Sequence, residues 1–264
     1  MLRGLVLAAI LAAPALPATK LLVTVIEQKS GKPVTDLKAE DFTVRDGRTQ
    51  RRVEAAEFSQ RTMDVMLLLD TSLVGEMVQP LAHNLIEQLQ PKEQMAIVSF
   101  HSSADLIQDF TSSRELLRQS IAGVKYGNTP RVLDALYAAI DGGFQNSIFR
   151  RVILLLTTGA EGNSRVSERD VVRLARRNGV SIYPVYMIGY ERSMFERLAR
   201  QTGGACFNAR DMSRSASGPP DPRIFEVMRS HYTLTLSGNL ALGENLKVEV
   251  AGRGRLQVSA LPLD

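Results

Sequence analysis

The chain has a single cysteine, Cys206, among its 264 residues, so no disulfide can form within it. Stability must come from a packed core. Cys206 lies in Gly203-Gly204-Ala205-Cys206-Phe207, a loop running into a short strand, and reads as a small buried apolar residue rather than a reactive thiol. Beyond residue 18 no apolar run is long enough to cross a bilayer as a helix, which takes ~20 residues. No long acidic or basic tract is present, which argues against a disordered chain. The net charge is +4, yet Lys and Arg are scattered among Asp and Glu. The densest basic groups are Arg51-Arg52, Arg150-Arg151 and Arg173 to Arg177, the last reading as the wet face of a helix. Nowhere do basic residues interleave with aromatics, so nucleic acid is not the expected partner; an anionic surface stays open.

Enzyme signatures are missing too. No glycine-rich dinucleotide or phosphate loop follows the first buried strand. No Gly-x-Ser-x-Gly elbow occurs, and the three histidines, His83, His101 and His231, fall in no metalloprotease spacing. Internal repeats are also lacking.

What is present begins with residues 1–18, which read as a signal peptide. Arg3 is the positive start, Leu5 to Ala13 the apolar stretch, and Pro14 to Ala18 a small-residue processing site, with cleavage after Ala18 or Ala15. A membrane anchor is the alternative, but the run is short and interrupted by Pro14 and Pro17. The expected compartment is therefore periplasmic or extracellular.

Residues 19–60 read as a small β element. Leu21 to Glu27 alternates in Val and Thr, Phe42 to Arg45 is a second strand, and Asp46-Gly47 turns into a third over Arg51 to Phe58. The pattern then changes for residues 61–230. Continuous apolar runs, Val65 to Leu69, Met95 to Phe100, Val152 to Thr157 and Val180 to Ile188, mark strands buried on both faces. Asp105 to Phe110 and Ala205 to Asn208 are shorter strands. Helical periodicity separates them over Gly75 to Leu89, Arg114 to Val124, Val132 to Phe144, Ser167 to Asn178, Met194 to Gln201 and Ile224 to Arg229. Strands alternating with helices predict an α/β fold with a doubly wound, mostly parallel sheet. Ser213 to Pro222, rich in Ser, Gly and Pro, reads as a mobile loop. Tyr232 to Leu236, Leu246 to Val250 and Leu256 to Leu261 return to β, with turns at Gly238-Asn239, Gly243-Glu244 and Gly252-Arg253-Gly254. Residues 231–264 and 19–60 each hold too little core alone, so they are expected to pack together as a small sandwich.

Ligands of a doubly wound sheet bind beyond the carboxyl ends of its strands. Three segments converge there: Asp70-Thr71-Ser72-Leu73-Val74, Gly127-Asn128-Thr129 and Thr157-Thr158-Gly159-Ala160-Glu161. In this order, residues 62–230 resemble the von Willebrand factor type A family. Its first loop carries Asp-x-Ser-x-Ser, its middle loop Thr, and its fourth strand ends in Asp-Gly, together a metal-ion-dependent adhesion site. Asp70, Ser72 and Thr129 match. Val74 replaces the second Ser and Thr158 replaces the Asp, removing one hydroxyl and one carboxylate. Magnesium takes about six oxygens, and one carboxylate attracts a hard ion weakly; Glu161 and Asp134 are the candidates to compensate. The resemblance thus implies Mg²⁺ or Mn²⁺ on Asp70, Ser72 and Thr129, or else a vestigial site in which Asp70 and Ser72 only cap backbone. The segment Val34 to Asp46-Gly47, and His231-Tyr232-Thr233-Leu234 at the start of the tail, resemble flanks of a bacterial von Willebrand-type group common in Acidobacteria.

The leading expectation is a non-enzymatic module that binds a protein ligand. Its face would comprise Thr71, Val74, His101, Asn128, Thr158 and Glu161. Two alternatives stand beside it. One is a structural scaffold of an envelope assembly whose β flanks make the contacts. The other is a metal-dependent hydrolase using Ser72 with His101 as base, the only base the sequence offers.

Overall fold

The computed structural model describes residues 18–214, 219–238, 242 and 245–263. Residues 1–17 of the expected signal peptide (1–18), residues 215–218 of the expected loop, and the turn residues Asn239, Gly243 and Glu244 lie outside the described residues. The strands are β1 (Thr19–Glu27), β2 (Phe42–Asp46), β3 (Thr49–Arg51), β4 (Val53–Gln60), β5 (Met63–Asp70), β6 (Gln94–Phe100), β7 (Ala104–Thr111), β8 (Arg150–Thr157), β9 (Val180–Tyr186), β10 (Phe207–Asn208), β11 (Ser230–Leu236), β12 (Leu246–Val250) and β13 (Leu256–Leu263). The helices are α1 (Gln79–Ile86), α2 (Arg114–Ala122), α3 (Val132–Gly142), α4 (Glu168–Arg177), α5 (Arg192–Gln201), α6 (Ala209–Arg214) and α7 (Pro220–Arg229).

The central sheet has six strands in the order β10-β9-β8-β5-β6-β7, parallel except for the antiparallel edge strand β7. Its inner strands are mostly apolar because both faces are covered. In β5, Val65, Leu67 and Leu69 pack with Leu85, Leu117, Ile121 and Phe225 of α1, α2 and α7. Met66 and Leu68 point the other way, toward Leu136, Val171 and Phe195 of α3, α4 and α5. The period-2 alternation of a strand thus feeds two helical layers from one run.

The flanks form two antiparallel sheets, β13-β1-β11-β4 and β12-β2-β3. Between them lies a core of Leu21, Val23, Val25, Phe42, Val44, Tyr232, Leu234 and Val248. Tyr232 stacks edge-on against both Phe42 and Phe58, and its hydroxyl donates to Val34 O and accepts from Leu37 N. The opposite face of β1 is buried as well. Ile26 joins the α/β core. Thr24 Oγ1 donates to Gly203 O at 2.8 Å, and Ser259 Oγ on β13 donates to Gly204 O. That is why β1 is richer in buried apolar side chains than a strand with one wet face.

Three sequence expectations are corrected. The single strand expected over Arg51 to Phe58 is two strands in different sheets: β3 pairs with β2, and β4 pairs with β11 after the chain crosses at Arg52. The helix expected over Gly75 to Leu89 starts as a 3-10 turn, Gly75–Val78, and is α-helical only from Gln79 to Ile86, with Pro80 in its first turn where no N–H is missed. The loop expected over Ser213 to Pro222 is helical at both ends. Ser213 and Arg214 finish α6, and Pro220 to Pro222 open α7, again because proline suits a first turn.

Two polar groups hold the lower end of the molecule, below the amino ends of the central strands. Glu93 is nearly fully buried and takes Arg229 Nε at 2.9 Å and Nη2 at 2.5 Å. Arg229 Nη2 also donates to Gln88 O, tying the end of α7 to the turn before β6. We predict that Arg229→Leu, which strands the buried carboxylate, lowers unfolding free energy by ~3–5 kcal/mol; a loss under about 1 kcal/mol in equilibrium urea unfolding would reduce the pair to a surface contact.

His231 on β11 is buried, with Nδ1 3.0 Å from Arg229 O and Nε2 3.2 Å from Ser59 Oγ. The neutral ring with its proton on Nδ1 satisfies both. Burial, then the positive charge of Arg150, pushes its pKa from 6.5 down to about 4. The unfolded chain therefore binds this proton first as pH falls. The associated stability is present above pH 6.5 and is lost as pH drops from 6.5 toward 4. The expected loss is on the order of 3 kcal/mol, read from denaturant midpoints against pH. His231→Gln should remove that part of the acid limb, and an unchanged slope would refute the assignment.

Candidate functional site

At the carboxyl end of β5, Asp70 is fully buried and its carboxylate is saturated. Oδ1 accepts from Ser72 N at 2.9 Å. Oδ2 accepts from Thr157 Oγ1 at 3.0 Å, Thr158 N at 2.9 Å and Thr158 Oγ1 at 2.9 Å. The adjacent apolar strands β5 and β8 bring these groups into register, and the two threonine hydroxyls aim inward. Thr71 is buried too, with Oγ1 donating to Phe100 O at 3.1 Å. Thr71 and Thr158, expected on a binding face, are therefore not surface groups.

Glu161 and Asp134, the candidates to complete a metal shell, are used elsewhere. The N-cap of α3 is Arg131, whose side chain makes no cap, so the first N–H groups of α3 need outside acceptors. Glu161 Oε2 accepts from Val132 N at 2.9 Å and Leu133 N at 3.3 Å, and Ser164 Oγ accepts from Leu133 N and Asp134 N. A carboxylate there also meets the positive end of the helix dipole. Asp134 Oδ1 accepts from Arg165 N at 2.8 Å and Val166 N at 2.9 Å.

Of the remaining expected residues, Asn128 and Thr129 are exposed and His101 is half-buried. Asn128 takes φ 54°, a left-handed conformation that asparagine tolerates. Leu73 and Val74 stand 78% and 59% exposed on the loop after β5, and Tyr190, on the loop after β9, is 76% exposed. Sequence reasoning missed Leu73 and Tyr190, because an apolar residue in a loop carries no sign of which way it faces.

Backbone bonds tie these loops into one frame. Gly127 N donates to Thr71 O, Leu73 N to Asn128 O, and Arg131 N to His101 O. Gly162 N donates to Pro130 O, Ile188 N to Thr158 O, and Glu191 N to Gly159 O. Gly159 at φ +108° lies so close under the next loop that a Cβ would sit 1.7 Å from Ile188 O.

A divalent metal does not fit this donor set. Ser72 Oγ, two residues from Asp70, is a buried hydroxyl without a hydrogen-bond partner. Asp70, the one carboxylate there among the described residues, is occupied on both oxygens, Val74 offers no donor, and Thr158 spends its hydroxyl on Asp70. Among the described residues no group of three or more His, Cys, Asp or Glu side chains could hold a metal. Nor does Ser72 meet a base: the His101 ring bonds Ser102 Oγ at 2.9 Å. Cys206, partly buried beside Glu196, has its thiol pKa pushed up by burial and then by that carboxylate, so it is not a ready thiolate.

The family model of the von Willebrand factor type A domain matches residues 64–218. Among solved structures, proximal thread matrix protein 1 from the mussel byssus, with a zinc-occupied MIDAS motif, is 15% identical with a TM-score of 0.54. The alignment covers 67% of this chain and 49% of that one. A von Willebrand factor type A protein from Catenulispora acidiphila is 12% identical at TM-score 0.50, covering 83% of this chain and 51% of that one. The chain thus spans about half the length of these two structures. No curated protein matches it.

The missing donors give a reciprocal test. We predict no thermal shift of the native chain in millimolar Mg²⁺ over chelator. Val74→Ser with Thr158→Asp restores a hydroxyl and a carboxylate. It should lower stability without metal, since two carboxylates then face each other, and regain about 2.7 kcal/mol when Mg²⁺ is a hundredfold above its Kd. A Mg²⁺-dependent rise in the native chain that Asp70→Ala removes would show that Asp70 gives up its bonds to a metal.

Proposed function

Because the chain belongs to the von Willebrand factor type A family, a family of protein-interaction modules, we propose that it binds a protein ligand through the loops at the carboxyl end of its central sheet, without a metal bridge. The observation that carries this reading is the exposure of Leu73, Val74 and Tyr190 on loops fixed to one another by backbone hydrogen bonds. Exposed apolar and aromatic side chains on a rigid frame suit the core of a protein contact, where they lose water at little ordering cost. Thr129 and Asn128 supply polar groups to its rim. Saturation of Asp70 favours contact by packing over contact by a shared cation.

The reading is non-enzymatic. The Ser72 and His101 pairing that a hydrolase would use is replaced by a bond from His101 to Ser102. The signal-like residues 1–18 favour an extracytoplasmic setting, periplasmic or secreted. The flanking segments favour the bacterial group that they resemble.

The expected outcome can be checked by crosslinking the purified chain to extracytoplasmic proteins. Native protein should recover a partner equally with and without chelator. A Leu73→Asp, Tyr190→Asp variant with an unchanged melting midpoint should lose it by at least about tenfold, as a charge placed in a packed contact predicts. Release by chelator would overturn metal independence. Loss only on changes within 19–60 or 231–264 would move binding to the β flanks and favour a scaffold.

A further inference from the structure

At the opposite end of the sheet, a cleft of about 730 Å³ opens where the β-sandwich meets the α/β layers. Its walls carry Arg61 beyond β4, Arg150 and Arg151 at the start of β8, and His231 on β11, but no Asp or Glu among the described residues. None of the three guanidinium groups is in an ion pair among the described residues, whereas Arg118, Arg173, Arg192, Arg197, Arg229 and Arg253 each are. The neighbouring carboxylate, Asp64, lies opposite Arg151 in the β5–β8 register but makes no ion pair with it among the described residues. Its Oδ2 accepts from Ser147 Oγ at 2.7 Å, Ile148 N at 3.1 Å and Phe149 N at 3.1 Å.

Two of the arginines are held in place by uncharged partners. Arg150 Nη2 donates to Tyr183 OH at 2.6 Å and Nη1 to Met228 O, while its Nε is buried with no partner. Arg151 Nη1 donates to Asn178 O at 3.1 Å, which also offsets the negative end of α4. Arg61 is exposed at the mouth and no side-chain bond holds it among the described residues. Two fixed cations and one without a side-chain bond thus line one cleft, and none of them is in an ion pair among the described residues.

We propose that this cleft binds a phosphate group, free or at the end of a small molecule, clamped between Arg61 and the fixed pair Arg150 and Arg151. A doubly charged tetrahedral oxyanion matches several guanidinium forks at once, and the volume suits a small ligand at a junction between two structural units. The positive field is already visible at His231, whose proton affinity is lowered by burial and then by Arg150 and Arg61. A bound anion would therefore stabilise the protonated ring and bridge the two units.

The test uses the purified chain in a chloride background. Isothermal titration at pH 7.5 with inorganic phosphate and with glycerol phosphate should give saturable binding. Arg61→Gln, at an exposed position, should weaken it about tenfold, as expected for one charge-assisted contact, with the melting midpoint unchanged. Tighter binding of the ester assigns a phosphorylated small molecule; equal binding assigns free phosphate. In parallel, NMR titration of the His231 ring in sulfate, which stays doubly charged through that titration, should raise its midpoint by about one pH unit over chloride of equal ionic strength. No saturable heat with either phosphate, binding unchanged in Arg61→Gln, or a His231 midpoint indifferent to sulfate would each overturn the proposal.

Discussion

The carboxylate of Asp70 sets the character of the upper surface. It ends the buried strand β5 and holds four hydrogen bonds, one from the loop after β5 and three from the end of β8 and the residue after it. A buried charge is tolerable only when its acceptor sites are filled, and here the protein fills them with its own threonines. The geometry that elsewhere in this fold family presents oxygens to a cation is turned inward to lock β5 to β8. With its acceptor sites filled by internal donors, what stands outward is Leu73, Val74 and Tyr190, beside the polar Asn128 and Thr129.

The same economy recurs around α3. That helix has no capping side chain of its own, so Glu161 and Ser164 reach across from the loop after β8. Glu161, Ser164 and Asp134 thus each have a structural occupation, and backbone hydrogen bonds join the loops into one cap. Gly162 belongs to the same arrangement, since a side chain there would collide with Thr129.

Much of the fold was legible because long apolar runs admit few solutions. Val65 to Leu69 and Val152 to Thr157 could be little else than strands covered on both faces, and their alternation with amphipathic helices implied the doubly wound sheet. What was hidden depended on distant partners. The crossing at Arg52 is set by which strand each half meets, β2 or β11, and no local pattern records that. The prolines near 220 read as loop, though a helix's first turn accepts them equally well. In the site, the spacing of Asp70, Ser72 and Thr129 was visible, but the saturation of Asp70 was not, since it needs two strands side by side. The Thr157-Thr158 pair was the available clue: two hydroxyls at a strand end, next to a strand that ends in a carboxylate. The burial of β1 on both faces could be guessed only from its excess of apolar residues.

The pairing of β1 with β13 has a mechanical consequence. The strands are antiparallel with Lys20 opposite Leu263, so these two residues sit at neighbouring points. Tension applied between those points would act across the ladder at its end and peel its hydrogen bonds one at a time, starting from Lys20 and Leu263. The force needed would be small and the central sheet would stay unloaded. Tension applied between the upper loops and either end of the chain would instead run along the strands of the α/β sheet, loading many bonds together. The molecule should therefore yield easily at its tail while keeping a firm grip at its crown.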